Sequence, residues 1–224
     1  QVPFGQAEHF RGIVDLIRMR LITWQENTLG AAFDVSEIPA DFRTEAEARR
    51  DNLLETLAEA DDEIAEKYLG EVPVTEAELI RAIRRATVSL KIVPVLCGAA
   101  LRNKGIQPIL DAVVDYLPSP EDIPPVKGVN PVTKAEETRA ASDKEPFTAL
   151  AFKVSMMEGR KITFVRIYSG LLKAGDEVFN AAKGRKEKVA RLLKMHANKR
   201  ERIDVAGAGD IIAVAGLKEA QTGD

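Results

Sequence analysis

Arg160-Lys-Ile-Thr-Phe-Val-Arg-Ile-Tyr-Ser-Gly-Leu-Leu-Lys-Ala-Gly-Asp-Glu-Val178 reads as an alternating strand, a glycine turn at Gly170, a second turn at Gly175-Asp176 and the start of another strand. Ala206-Gly-Ala-Gly-Asp-Ile-Ile-Ala-Val-Ala-Gly-Leu217 repeats the device: Gly-Asp again leads into an apolar strand. Alternation of period two decides which side chains meet a core, and Gly-Asp gives the backbone the freedom to reverse between strands. Between the two copies lies a basic run, 183–202. The expectation is a small closed β structure, a barrel, with a positively charged flank.

Upstream, Phe147-Thr-Ala-Leu-Ala-Phe-Lys-Val opens this β module, and before it the chain changes character. Pro118, Pro120, Pro124 and Pro125 cluster, and 130–144 is polar with little to bury. Proline removes backbone donors and stiffens the chain, so 126–144 reads as a linker between a first domain over 1–125 and the β module over 145–224. In the first domain, 9–24 reads as a strand pair, followed by a loop with Asn27, Gly30 and Pro39. The stretch 41–68 then turns helical: Leu53, Leu54, Leu57, Ile64 and Tyr68 fall on one side at helical spacing. Glu55, Glu59, Asp62, Glu63 and Glu66 fall on another side, as a solvated face or as a docking surface for a basic partner. Gly70 caps this helix, and Thr75 with Glu78 three residues on forms a capping box for a second helix reaching about Ser89. Ile92-Val-Pro-Val-Leu-Cys97 suits a strand buried on both faces, and a helix follows from about Gly105 to Tyr116. Strand, small-residue turn and helix suggest the end of an α/β sheet, whose ligands bind at the carboxyl ends of strands. If the partner strands of 92–96 are missing, its apolar surface is exposed.

The chain has 224 residues with formal net charge −3, 30% charged and 45% hydrophobic, values of a globular protein far from disordered or membrane composition. No apolar run approaches the roughly 18 residues a spanning helix needs, and the start has no signal-peptide pattern, so a cytoplasmic protein is expected. The first residue is Gln1 and the last residues end on a turn signal, so the chain reads as cut from a longer one. The lone Cys97 reads as a small buried hydrophobe, with a reactive thiol as the alternative. Two distant histidines, His9 and His196, and no cysteine cluster speak against a zinc or other metal site.

Catalytic machinery is not legible. No glycine is followed by lysine anywhere in the chain, which excludes a Gly-x-x-x-x-Gly-Lys-Ser/Thr phosphate loop. Asn103-Lys-Gly-Ile and Asn198-Lys-Arg-Glu lack the aspartate that would accept from a guanine ring, and no catalytic triad can be assembled. The basic run is more informative. Lys183, Arg185, Lys186, Lys188, Arg191, Lys194, Lys199, Arg200 and Arg202 are offset only by Glu187 and Glu201. On a small β module such density is the footprint expected for phosphate backbones, or else a solvated face. With few aromatics inside the run, structured RNA fits better than base stacking.

Phe164-Val-Arg-Ile-Tyr-Ser-Gly, Leu172-Lys-Ala-Gly-Asp176, Met195-His-Ala-Asn-Lys-Arg-Glu201 and Ala208-Gly-Asp-Ile together resemble the second domain of elongation factor G, a translational GTPase family. Ile38-Pro-Ala-Asp, Glu66-Lys-Tyr-Leu, Asn103-Lys-Gly-Ile-Gln-Pro and Leu110-Asp-Ala-Val-Val-Asp-Tyr-Leu-Pro-Ser-Pro120 resemble the same family's G domain and its inserted G′ subdomain. The resemblance implies an α/β fold, a partial G domain with an α+β insert, followed by an all-β barrel cut short. It implies GTP and Mg²⁺ as cofactors of the parent, with none expected on this fragment and no catalytic residue within it. The fifth guanine motif would fall on Gly98-Ala99-Ala100-Leu101, with Ala99 in place of the usual serine and the Ala100 N–H left to meet the guanine oxygen; Lys104 follows in that loop. The acidic residues Glu55, Glu59, Glu63 and Glu66 would meet the ribosomal stalk protein, and Arg166, Lys199 and Arg200 ribosomal RNA. The parent would move tRNA and mRNA on the ribosome, and the chain is expected to be a monomer away from membranes. Met156-Met-Glu-Gly-Arg160 is shorter than the family's loop there, which leaves room for a paralogue acting in ribosome recycling or protection. An RNA-binding or ribosome-binding adaptor without a motor is the rival from another class.

Overall fold

The computed structural model describes residues 1–25, 28–197 and 199–224, and the chain divides into two units, Gln1–Leu117 and Pro118–Asp224. Asn27, expected in a loop, and Asn198, of the Asn198-Lys-Arg-Glu segment, lie outside the described residues.

In the first unit β1 (Val2–Phe4), β2 (Gly12–Asp15), β3 (Arg20–Trp24) and β4 (Phe33–Ser36) form an antiparallel sheet in chain order. The β2–β3 register pairs Ile13 with Ile22 and Val14 with Leu21. Because neighbours along a strand face opposite ways, this register feeds two clusters. Val14 and Leu21 pack with Leu16, Ile38 and Ala46, while Ile13, Ile22 and Trp24 pack with Phe10 and Cys97.

The single helix expected over 41–68 is two helices, α1 (Ala40–Ala58) and α2 (Asp62–Leu69). Asp61 explains the break: it is extended, with φ −144° and ψ 116°, and its side chain accepts the Ile64 N–H. A short carboxylate that caps a new helix competes with continuation of the old one. The break folds α2 back, so that Leu57 and Ile64 enter one core with Leu79, Ala82, Ile83 and Ala86 of α3 (Glu76–Val88). The Thr75–Glu78 capping box opens α3 as expected, and α4 (Ile106–Tyr116) starts at Gly105, φ +86°. The strand expected over 92–97 is absent; the segment has no regular secondary structure and joins no ladder, with Val93 84% and Val95 75% exposed. A strand needs a neighbour to bond. The Ile92 N–H closes on Ala86 O at the end of α3, at 3.3 Å. Beyond it, the described backbone bonds of the segment are the Gln1 amine donating to Val95 O and the Cys97 N–H donating to the Gln1 side chain, each at 3.3 Å. Cys97 is half-buried, and burial pushes its thiol pKa up, which favours the small-hydrophobe reading over a reactive thiolate.

In the second unit, the stretch read as a linker holds a hairpin, β5 (Val126–Val129) with β6 (Glu136–Arg139). The module proper comprises β7 (Thr148–Met157), β8 (Arg160–Ser169), β9 (Leu172–Lys173), β10 (Glu177–Asn180), β11 (Arg185–Lys188), β12 (Arg191–His196), β13 (Lys199–Ile203), β14 (Val205–Ala206) and β15 (Ile211–Ala215). Five strands make one antiparallel sheet, β13-β12-β15-β8-β7; β10 pairs with β11 and β14 with β9. The unit is antiparallel β as expected, but the described ladders do not close into a barrel. Among the described residues the small ladders pair with no third strand, and the outer edge of β7 bonds Gly223 and Asp224 instead of another strand, each at 2.7 Å through Ala151. The pieces still curve around one core of Ile167, Leu172, Val189, Leu192, Ile212 and Val214. The turn at Gly170 needs its glycine: φ is +74°, and a Cβ would stand 2.6 Å from the Phe147 backbone.

Candidate functional site

The basic run becomes β11, β12, β13 and their turns, and each of its nine cations is exposed. On the β12–β13 ladder Leu193 faces Arg202, Lys194 faces Glu201, Met195 faces Arg200 and His196 faces Lys199. Glu187 is not the surface counter-charge its position in the run suggested. It is 8% exposed and accepts the Glu219 N–H at 2.8 Å, so the flank is more positive than the composition of the run indicates. Two acids outside the run pair with it: Glu177 with Lys186 at 2.7 Å and Glu158 with Arg200 at 2.9 Å. The Glu177 hydrogen bond raises the Lys186 pKa, and the Arg200 guanidinium holds the Glu158 carboxyl below its usual range. Glu158 stands in the two-residue turn Glu158-Gly159 between β7 and β8, with φ +51° and +73°, the geometry of a tight hairpin.

Of the three residues singled out for RNA, Lys199 and Arg200 lie together on β13, whereas Arg166 lies on β8, opposite Ile211 of β15. Arg166 is half-buried, its guanidinium carbon 5.2 Å from the Tyr168 ring centre, and its Nε is buried without a partner. The aromatic residues of β7 and β8 were not linked to the run in the sequence because β9 and β10 intervene. The period-two spacing Phe164-x-Arg166-x-Tyr168 was the available signal.

The acidic residues are split by the helix break. Glu55 is on α1, Glu59 at its C-cap, and Glu63 and Glu66 on α2; all four are exposed, and Glu63 pairs with Arg85 at 2.6 Å. Arg85 also clamps Asp61 at 2.8 Å, which holds the Asp61 carboxyl below its ordinary pKa.

The loop resembling the guanine motif is closed by a reciprocal bridge: Ala99 N–H donates to Lys104 O at 2.9 Å, and Lys104 N–H to Ala99 O at 3.2 Å. Ala100–Arg102 is a single 3-10 turn, so the Ala100 N–H stands at its first position, where a backbone donor has no partner within the turn. Leu101 is fully exposed, and Lys104 is buried. No group of three or more His, Cys, Asp or Glu side chains that could hold a metal ion occurs among the described residues, and no described helix is long and apolar enough to cross a membrane.

Residues 160–224 match the family model for elongation factor Tu domain 2. Elongation factor G 2 of Syntrophus aciditrophicus (strain SB) is 60% identical over all 224 residues, which span 33% of that protein. A crystal structure of a protein from Thermus thermophilus superposes with TM-score 0.73 at 22% identity over 99% of this chain and 30% of that one, a likeness of fold. Along its whole length the chain is thus similar to an elongation factor G, of which it spans about a third, and its last strands are similar to elongation factor Tu domain 2.

Proposed function

We propose that the chain is part of a GTP-dependent translation elongation factor that promotes movement of tRNA and mRNA on the ribosome in the cytoplasm. The observation that carries this reading is the 60% identity to an elongation factor G along the whole chain. The parent protein binds and hydrolyses GTP with Mg²⁺. This chain's contribution to the nucleotide is the loop at Ala99, Ala100 and Leu101, which meets the guanine base, while phosphates and metal are held elsewhere in the parent. The fragment itself is inactive and monomeric. Its exposed Glu55, Glu59, Glu63 and Glu66 meet the stalk protein, and Lys199 and Arg200 meet ribosomal RNA, with the half-buried Arg166 at the margin.

The tight Glu158-Gly159 hairpin, shorter than the loop the resemblance implies, favours as second reading a paralogue acting in ribosome recycling or protection. The test uses the full-length parent. Ribosome-stimulated GTP hydrolysis coupled to single-codon movement of mRNA is the expected result. Hydrolysis coupled only to subunit splitting selects the paralogue, and ribosome binding without GTPase activity selects the adaptor.

A further inference from the structure

The five-stranded sheet has an outer face that the basic run only partly describes. Val165, Leu192, Ile212 and Val214 point into the core, so their strand neighbours point outward. Register then sets one row across the sheet: Lys153, Phe164, Ala213, Leu193 and Arg202. Directly opposite residues share a face, so the aromatic ring and the cation of the far edge strand belong to the same surface. Arg202 stands three strands from Phe164, about 14 Å at the usual strand spacing.

A register shift between Ala151 and Lys153 leaves Phe152 as the extra residue of a bulge. Such bulges re-aim a side chain. Here the bulge brings Phe152 within 6.4 Å of the Phe164 ring centre, tilted at 50°, and leaves it 40% exposed. Lys153 Nζ lies 5.5 Å from the Phe164 centroid, and Arg166 and Tyr168 continue the same face of β8. Arg200 and Arg202 border it on β13, and Glu158, already paired to Arg200, is the acid at its margin. Paired aromatics, Phe152 exposed and Phe164 half-buried, ringed by cations match an unstacked base with its phosphates, because every base offers a π face and every phosphate a charge. Paired RNA offers no free π face to a flat sheet, so charge alone does not account for the bulged phenylalanine.

We infer that the outer face of this sheet is a stacking platform for an unpaired RNA nucleotide, its base against Phe152 and Phe164 and its flanking phosphates on Lys153 and on Arg200 and Arg202. This rests on the reading of the cationic flank as an RNA contact and adds that the RNA there is unpaired.

The test compares two RNA hairpins bound by the 224-residue chain, one with a single unpaired 2-aminopurine and one fully paired. Tighter binding of the first, with quenching of its fluorescence, is expected. Phe152→Leu and Phe164→Leu each remove the quenching and weaken that RNA about 5- to 150-fold, the range for one stacked base, while leaving the paired hairpin unchanged. Phe152→Tyr, which keeps a π face, retains both signals. Arg200→Glu with Arg202→Glu weakens both hairpins alike. Equal affinity for the two RNAs, or indifference to both leucine variants while the charge reversals act, overturns the platform but leaves the cationic reading. Failure of both RNAs to bind at low salt overturns both readings and points to a protein partner for this face.

Discussion

Asp61 shows how one residue sets both an element and its pH response. It caps α2 through the Ile64 N–H and receives Arg85 on both carboxylate oxygens, at 2.8 and 3.0 Å, while itself only 9% exposed. Asp61→Ala removes the cap and is expected to lower unfolding free energy by about 1–2 kcal/mol, read from the urea midpoint. The Arg85 hydrogen bond lowers the folded-state pKa of Asp61, so its charge contributes stability above the ordinary carboxylate range and loses it as pH falls through the folded value. Glu78 has the same sign: held to about 2 chiefly by Lys67 and then by the Thr75 cap, its contribution fades between its ordinary 4.5 and that value. Urea midpoints measured from pH 7 down to pH 3 are therefore expected to fall more steeply for the native chain than for Asp61→Asn, which can still cap but carries no charge. Parallel slopes count against the ion pair as a source of acid sensitivity.

At the scale of elements, turn glycines differ in what they hold. Gly170 and Gly175 both have positive φ, +74° and +97°, but only at Gly170 does a Cβ meet backbone atoms, those of Phe147 and Glu145; nothing lies within 4 Å of one at Gly175. Gly175→Ala carries conformational strain alone, about 1 kcal/mol. Gly170→Ala adds the collision between the start of β9 and the chain entering β7, so it is expected to cost at least twice as much and lower the melting temperature of the second unit correspondingly. Equal costs would mean that the Phe147 segment yields freely. These turns were legible in the sequence because Gly-Asp and period-two alternation are local signals. The interruption at Asp61 was not, because Leu57 and Ile64 keep helical spacing across it, and only the tertiary fold-back shows that they meet in one core from different helices. The strand missing over 92–97 fails for the complementary reason: its composition suits a strand, but a ladder depends on a neighbour the local pattern cannot supply. The same holds for β5 and β6, which pair as a hairpin while burying little, with Glu137 and Arg139, both on β6, bonded to each other.

Over the whole molecule, each unit carries an exposed patch of opposite sign, acidic on the first and cationic on the second, and the net charge of −3 averages them away. The charge of both patches was readable from composition along the chain, but their extent was not. Glu187 left the cationic surface by burial, and Phe152 and Phe164 joined it by sheet register. Opposite patches on separate units predict separable partners. Glu59→Lys with Glu66→Lys, neither of which has a described ion pair, is expected to weaken binding of the isolated stalk protein at least tenfold at low salt. The effect should shrink toward physiological ionic strength as the Debye length falls to about 8 Å. RNA binding by the same variant is expected to stay unchanged, and the Arg200→Glu, Arg202→Glu variant should show the converse. Both interactions are measured on one preparation by anisotropy, so a misfolded variant reveals itself by losing both. A stalk affinity that ignores the acidic reversal removes the acidic patch as the contact. Loss of RNA binding in the acidic variant removes the independence of the two patches.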